Sequence, residues 1–228
     1  MIRRRTLLAC LVWLVLAPLA DARDATGLPD PSGWEDAIRA FEVADRTAPP
    51  PAGGIVFIGS SSIRMWTSLA DDFAGLPVVN RGFGGSQLPE VTAFVSRIVV
   101  PYAPRMVVVY CGANDIDAGR TAAQVAEDAR ALAAAIHTSL PRARIAFISI
   151  AGNPARWAQV ETVRAANRMI AEWTTRDPRL AFIDVFPHML GPDGRPKPDI
   201  FLADGLHMNA RGYAIWREVV APYLRTNP

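Results

Sequence analysis

Cysteine is almost absent. The chain has two, Cys10 and Cys111, and Cys10 lies in a stretch that reads as a removable leader. Cys111 is then alone, no internal disulfide is possible, and stability has to come from a core. Cys111 closes an apolar run, where a free thiol behaves as a small hydrophobe. Lysine is scarcer still: Lys197 is the one lysine among 24 basic residues, a bias of composition rather than a function. No long block of one charge exists, and the formal net charge is +2. Basic residues are not clustered with aromatics outside the N-terminus, which argues against nucleic acid as a partner. Repeats, low-complexity tracts and signs of a second domain are also missing. What the chain does have is apolar material: half of its 228 residues are hydrophobic, enough for one sizeable core.

The first residues stand apart. Arg3, Arg4 and Arg5 form a basic start, Leu7 to Ala20 an apolar run, and Ala20-Asp21-Ala22 a small-residue cleavage pattern. This is how a secretory signal reads. The run is about 14 residues, short of the roughly 20 that a membrane span needs. We therefore expect a signal peptide over 1–22, a linker over 23–33 and one folded domain over 34–228. The mature protein is expected in the periplasm or secreted, with no stable membrane insertion.

Ser32 and Glu35 have the spacing of a capping box ahead of a helix in which Trp34, Ala37, Ile38 and Phe41 share a face. From residue 55 onward, apolar strands alternate with amphipathic segments. Strands are expected at 55–59, 77–82, 105–112, 143–150 and 180–185. Helices are expected through 65–69, 88–99, 121–140, 156–176 and 209–224. Five buried-type strands interleaved with helices imply an α/β sandwich on a parallel sheet. In such sheets active residues gather at the C-terminal strand ends.

Those ends carry chemistry. The first runs into Gly59, Ser60, Ser61 and Ser62; the second into the Gly-rich "NRGFGGS" (80–86); the third into "CGAND" (111–115). After the fifth comes "DGLH" (204–207). Acyl transfer needs a serine, a base to take its proton, a carboxylate to orient that base, and donors for the oxyanion. His207 is the histidine in position to be the base, and Asp204 lies one turn earlier. Gly85 can expose its N–H, and Asn114 can offer its amide. Each motif alone has a plainer use. Serines and "GAND" cap helices, Gly-rich turns serve tight geometry, and a lone histidine near a helix start is commonly a surface residue. Their joint appearance in this order is what carries weight.

Taken together, "FIGSSSI", "NRGFGGS", "GAND" and "DGLH" resemble the four blocks of the SGNH hydrolases, the GDSL-like esterase and lipase superfamily, over residues 53 to 224. The resemblance implies a flavodoxin-like three-layer α/β/α sandwich with a five-stranded parallel sheet in the order 2-1-3-4-5, and neither metal nor cofactor. It assigns Ser61, two residues after Gly59, as nucleophile, with Asp204 and His207 completing the triad. The oxyanion hole falls to Ser61 N–H, Gly85 and Asn114. Ser60 stands where the family has aspartate, and Ser62 falls in the first turn of the next helix, where a capping role is expected. The G-x-S-x-G elbow of ordinary α/β-hydrolases does not fit, because Ile63 takes the place of its second glycine.

The expected activity is hydrolysis of carboxylic esters, with short acyl groups of acetyl type, on a small-molecule or glycan substrate. The alternatives are polysaccharide O-acetyl transfer or deacetylation, and a non-catalytic carbohydrate-binding protein on the same fold. Trp66, Phe83 and Trp157 are either sugar-stacking or core residues. Arg64, Asn153 and Arg156 are candidates to face the substrate, and His188 is read as a surface residue.

Overall fold

Apolar runs form the core of the strands. The computed structural model describes residues 28–225; the expected signal peptide and residues 23–27 of the expected linker lie outside the described residues. The strands are β1 (Ile55–Gly59), β2 (Val78–Gly82), β3 (Met106–Tyr110), β4 (Arg144–Ile148) and β5 (Leu180–Ile183). All neighbours pair in parallel, in the order β2-β1-β3-β4-β5. This is the α/β sandwich and strand order expected from the sequence.

Side-chain alternation divides the interior into two layers. Val56, Ile58, Val107, Val109, Ile145 and Phe147 face one core. Ile55, Phe57, Met106, Val108, Tyr110, Ala146 and Ile148 face the other. The central strands β1 and β3 are buried along their whole length and read as continuous hydrophobic runs, whereas the edge strands β2 and β5 are part-exposed.

The helices are α1 (Glu35–Thr47), α2 (Ser61–Arg64), α3 (Leu69–Asp72), α4 (Leu88–Ala93), α5 (Val95–Ile98), α6 (Ala113–Asp117), α7 (Ala122–Ser139), α8 (Val160–Thr174) and α9 (Ala210–Arg225). Thr121 and Gln124 cap α7 reciprocally, a capping box.

Three local expectations are corrected. Ser32 and Glu35 do not form a capping box. A short 3₁₀ turn, Pro31–Trp34, precedes α1 and is capped by Asp30, while the Glu35 carboxylate pairs with Arg39 and Arg97. The expected helix through 65–69 is two short pieces, α2 and α3, separated at Trp66. That indole is buried and donates to Asp72 Oδ2 at 2.7 Å. The helix expected at 88–99 breaks at Phe94, between α4 and α5.

Helix α1 is tied down by charge. Arg81 of β2 is buried and pairs with Asp45, with its Nε donating to the Tyr102 hydroxyl at 2.7 Å. Arg97 reaches Glu42 at 2.6 Å and Glu35 at 2.7 Å. A buried guanidinium is tolerated only when paired in this way.

Among the described residues, no helix is long and apolar enough to cross a membrane.

Candidate active site

Glycine brings β1 to its end. Gly59 has φ +128°, and a Cβ there would lie 1.9 Å from the Tyr110 carbonyl oxygen. No other residue fits so close to β3. The Ser60 N–H then donates to Tyr110 O at 3.1 Å, and Ser60 itself is buried. Ser61 opens α2 at the C-terminal edge of the sheet.

Of the three consecutive serines, Ser61 is the one that meets the histidine. Its Oγ lies 2.9 Å from His207 Nε2. His207 Nδ1 lies 2.7 Å from Asp204 Oδ2. A carboxylate accepts and does not donate, so the imidazole proton belongs on Nδ1 and Nε2 is left as an acceptor facing Ser61. Asp204 is itself held in place: its Oδ1 accepts from the N–H of Leu206 at 2.9 Å and of His207 at 3.0 Å. The hydrogen bond from the His207 ring, followed by the two backbone N–H groups, holds its carboxyl down at about 2. Ser62 does not cap the helix. Its hydroxyl meets the buried Tyr110 phenol, and its carbonyl accepts from Tyr213 Oη at 2.9 Å.

The second and third strand ends meet beside it. Asn114, in the first turn of α6, donates from Nδ2 to the Ser86 carbonyl at 3.1 Å. Cys111 Sγ approaches the same oxygen at 3.4 Å. The thiol is fully buried, and burial holds its pKa well above the ordinary range, so it is not a thiolate nucleophile. The adjoining turn holds Gly84 and Gly85. A side chain at Gly84 would collide with the Trp34 ring, whereas at Gly85 the space is open. Among the described residues neither Ser61 N–H nor Gly85 N–H has an acceptor. Unsatisfied N–H groups are what an oxyanion hole requires.

Asp115 lies wholly buried behind this turn, and its Oδ1 accepts from Leu88 N at 2.9 Å. Desolvation raises its pKa to about 7, against the pull of the Leu88 N–H.

The structure brings Ser61, His207 and Asp204 into contact and sets Asn114 beside them. Ser61, Asn114 and His207 line one small depression, together with Tyr110, Asn153 and Arg156; Gly85 is not among its lining residues. Of the residues considered for substrate contact, Asn153 and Arg156 line it and Arg64 does not. Trp66 and Phe83 are core residues, 1% exposed each. Trp157 is half-buried and packs over Gly152, and His188 is exposed. A larger hollow, lined by Arg105, Leu140 and Arg142, lies at the N-terminal end of the strands, away from the nucleophile. Among the described residues, no group of three or more His, Cys, Asp or Glu is arranged to hold a metal.

Sequence patterns place Trp34 on a helix face, Asp115 in a capping motif and Arg156 among the candidates to face the substrate, and give no sign of the contacts of Trp34 with Gly84, of Asp115 with Leu88 or of Arg156 with Asn114.

A search of curated proteins finds no match to the chain. Solved structures share its fold at low identity. A Streptococcus pneumonia protein described in connection with platelet activating factor is 21% identical, with a TM-score of 0.74 over 85% of this chain and 94% of that one. A GDSL-like lipase from Bacteroides thetaiotaomicron is 17% identical, with a TM-score of 0.66 over 82% and 96%. A carbohydrate esterase family 3 protein from Talaromyces cellulolyticus is 18% identical, with a TM-score of 0.60 over 75% and 95%. Residues 57–215, most of the chain, match the GDSL-like Lipase/Acylhydrolase family. With that match, and the five-stranded sheet in the order 2-1-3-4-5 beneath it, the chain belongs to the GDSL-like lipases and acylhydrolases, the ester-hydrolysing serine hydrolases of the SGNH superfamily.

Proposed function

We propose that this hydrolase is an exported esterase that removes short, acetyl-type acyl groups from small-molecule or glycan esters. Ser61, His207 and Asp204 act as its triad. The observation that carries the proposal is the unbroken path from Asp204 Oδ2 through His207 to Ser61 Oγ, with contacts of 2.7 and 2.9 Å.

In the first half-reaction Ser61 Oγ attacks the ester carbonyl carbon while its proton passes to His207 Nε2. The carbonyl π electrons move onto oxygen, and Ser61 N–H, Gly85 N–H and the Asn114 amide hold that charge. Asp204 stabilises the imidazolium. Collapse breaks the bond to the alcohol oxygen, which leaves with the proton from Nε2. Water then attacks the acyl-serine, gives its proton to His207, and collapse returns Ser61 Oγ its proton as the acid departs.

A short acyl group suits the site: the depression is small, polar groups dominate its lining, and the buried Tyr110 borders it. The carbohydrate esterase neighbour is in keeping with a glycan substrate. Export rests on the pattern of residues 1–22.

Hydrolysis of p-nitrophenyl esters tests the proposal. Acetate is expected to turn over faster than octanoate, and Ser61→Ala to lose on the order of a million-fold in kcat. Wild-type rates in Ser61→Ala, or a preference for octanoate, would overturn it.

A further inference from the structure

Arg156 touches Asn114, and the acyl-transfer scheme leaves it without a task. Its Nη1 donates to Asn114 Oδ1 at 3.0 Å. Its Nη2 is paired with Asp117 Oδ2 at 2.8 Å. The other oxygen of Asp117 accepts from Gln159 Nε2 at 3.2 Å. The backbone N–H of Arg156 donates to Asn153 Oδ1 at 2.9 Å. The guanidinium is thus clamped, and it lies in the wall of the depression that holds Ser61 and His207.

A primary amide is nearly symmetric in shape and opposite in hydrogen bonding at its two ends. Nothing in Asn114 alone decides which end faces a substrate. Here both ends are fixed. The oxygen end meets Arg156, which can only donate; the nitrogen end meets the Ser86 carbonyl, which can only accept. Flipping the amide would set N–H against guanidinium and oxygen against oxygen. One N–H of Asn114 is spent on Ser86, and the second has no acceptor among the described residues. A cation on the amide oxygen also draws electron density from the nitrogen and makes that second N–H a stronger donor.

We propose that Arg156 is a positioning residue for transition-state stabilisation: it orients and polarises the Asn114 amide, with Asp117 holding the guanidinium in place. The proposal rests on the oxyanion role given to Asn114 above. It separates Arg156 from a substrate-binding arginine, because its effect passes through Asn114 and falls on kcat rather than KM.

A double-mutant cycle on p-nitrophenyl acetate tests it, with thermal melts as the check on folding. Arg156→Gln is expected to lower kcat about tenfold or more with KM nearly unchanged, and to lower it less than about threefold when Asn114 is already alanine. Arg156→Lys keeps the charge but loses the fork that spans Asn114 and Asp117, and is expected to fall between. If Arg156→Gln does not fold, Asp117→Asn carries the same test, with a smaller kcat loss that also vanishes in the Asn114→Ala background. An equal loss in both backgrounds, or a change confined to KM, would overturn the role of Arg156. An Asn114→Ala variant with wild-type kcat would instead remove the oxyanion role of Asn114, and Arg156's with it.

Discussion

Trp34 stands edge-on to Phe83, with ring centroids 5.6 Å apart and planes at 62°, and its indole fills the space a side chain at Gly84 would need. Trp34 precedes the family match, which begins at residue 57. An N-terminal residue thus packs against the turn that presents Gly85. Trp34→Ala leaves that turn uncovered on one side. Because the ring is half-buried, we expect a stability loss of about 1–2 kcal/mol, below that of a core tryptophan. We also expect a several-fold fall in kcat. Urea melts and steady-state kinetics check both, and a variant that matches wild type in both would show that the contact is incidental.

Gly59 and Gly85 separate structural from functional glycine. Gly59→Ala forces a Cβ to within 1.9 Å of the Tyr110 oxygen and is expected to cost several kcal/mol or abolish folding. Gly85→Ala meets open space, with no positive φ to strain. Its melting temperature is expected to stay within about 2 °C of wild type, a shift that corresponds to about 0.5–1 kcal/mol at most. On the proposed oxyanion geometry its kcat falls at least about tenfold. A Gly85→Ala protein that loses stability and activity together would contradict this division.

The sheet was readable because its central strands are buried on both faces and so carry no alternation to misread. The gathering of a serine, Asn114, Asp204 and His207 was readable from strand ends, and the choice of Ser61 among the three serines came from the family resemblance. What could not be read depends on distant partners. Glu35 has the spacing of a capping residue, yet Arg97, 62 positions away, takes its carboxylate. A helix through Trp66 agrees with its neighbours' propensities, but burying the indole against Phe57, Phe73 and Trp216 breaks the chain there. Arg156 meets Asn114 across 42 positions, and no local pattern encodes that contact.

Asp204 sets a simple pH dependence. Its carboxyl is held at about 2, chiefly by the His207 ring and then by two backbone N–H groups. The folded-state value lies below the unfolded one. The stability it contributes is therefore present above about pH 4 and is lost as pH falls through about 2. Between pH 4 and 9 Asp204 stays charged, so no ionisation of kcat/KM in that range belongs to it. Asp204→Asn is expected to lower kcat by on the order of a thousand- to ten-thousand-fold. Wild-type kcat in Asp204→Asn would contradict the scheme.

Asp115 works in the other direction. Burial raises its carboxyl to about 7, so between about pH 4 and 7 the folded state binds a proton that the unfolded chain has released. The associated stability is full below about pH 4 and is lost as pH rises through about 7. Asp115→Asn keeps an oxygen for the Leu88 N–H and removes the titration. Urea midpoints from pH 4.5 to 8 are expected to decline less in Asp115→Asn than in wild type. Parallel curves would mean that the buried carboxyl does not titrate on folding.

The proposed triad makes Ser61, and neither Ser60 nor Ser62, the activated nucleophile. Labelling the purified protein with a fluorophosphonate and locating the adduct by peptide mass spectrometry tests it most directly. An adduct on Ser61 that disappears in His207→Ala is the predicted result. An adduct on Ser60 or Ser62, or labelling of Ser61 unaffected by His207→Ala, would contradict it.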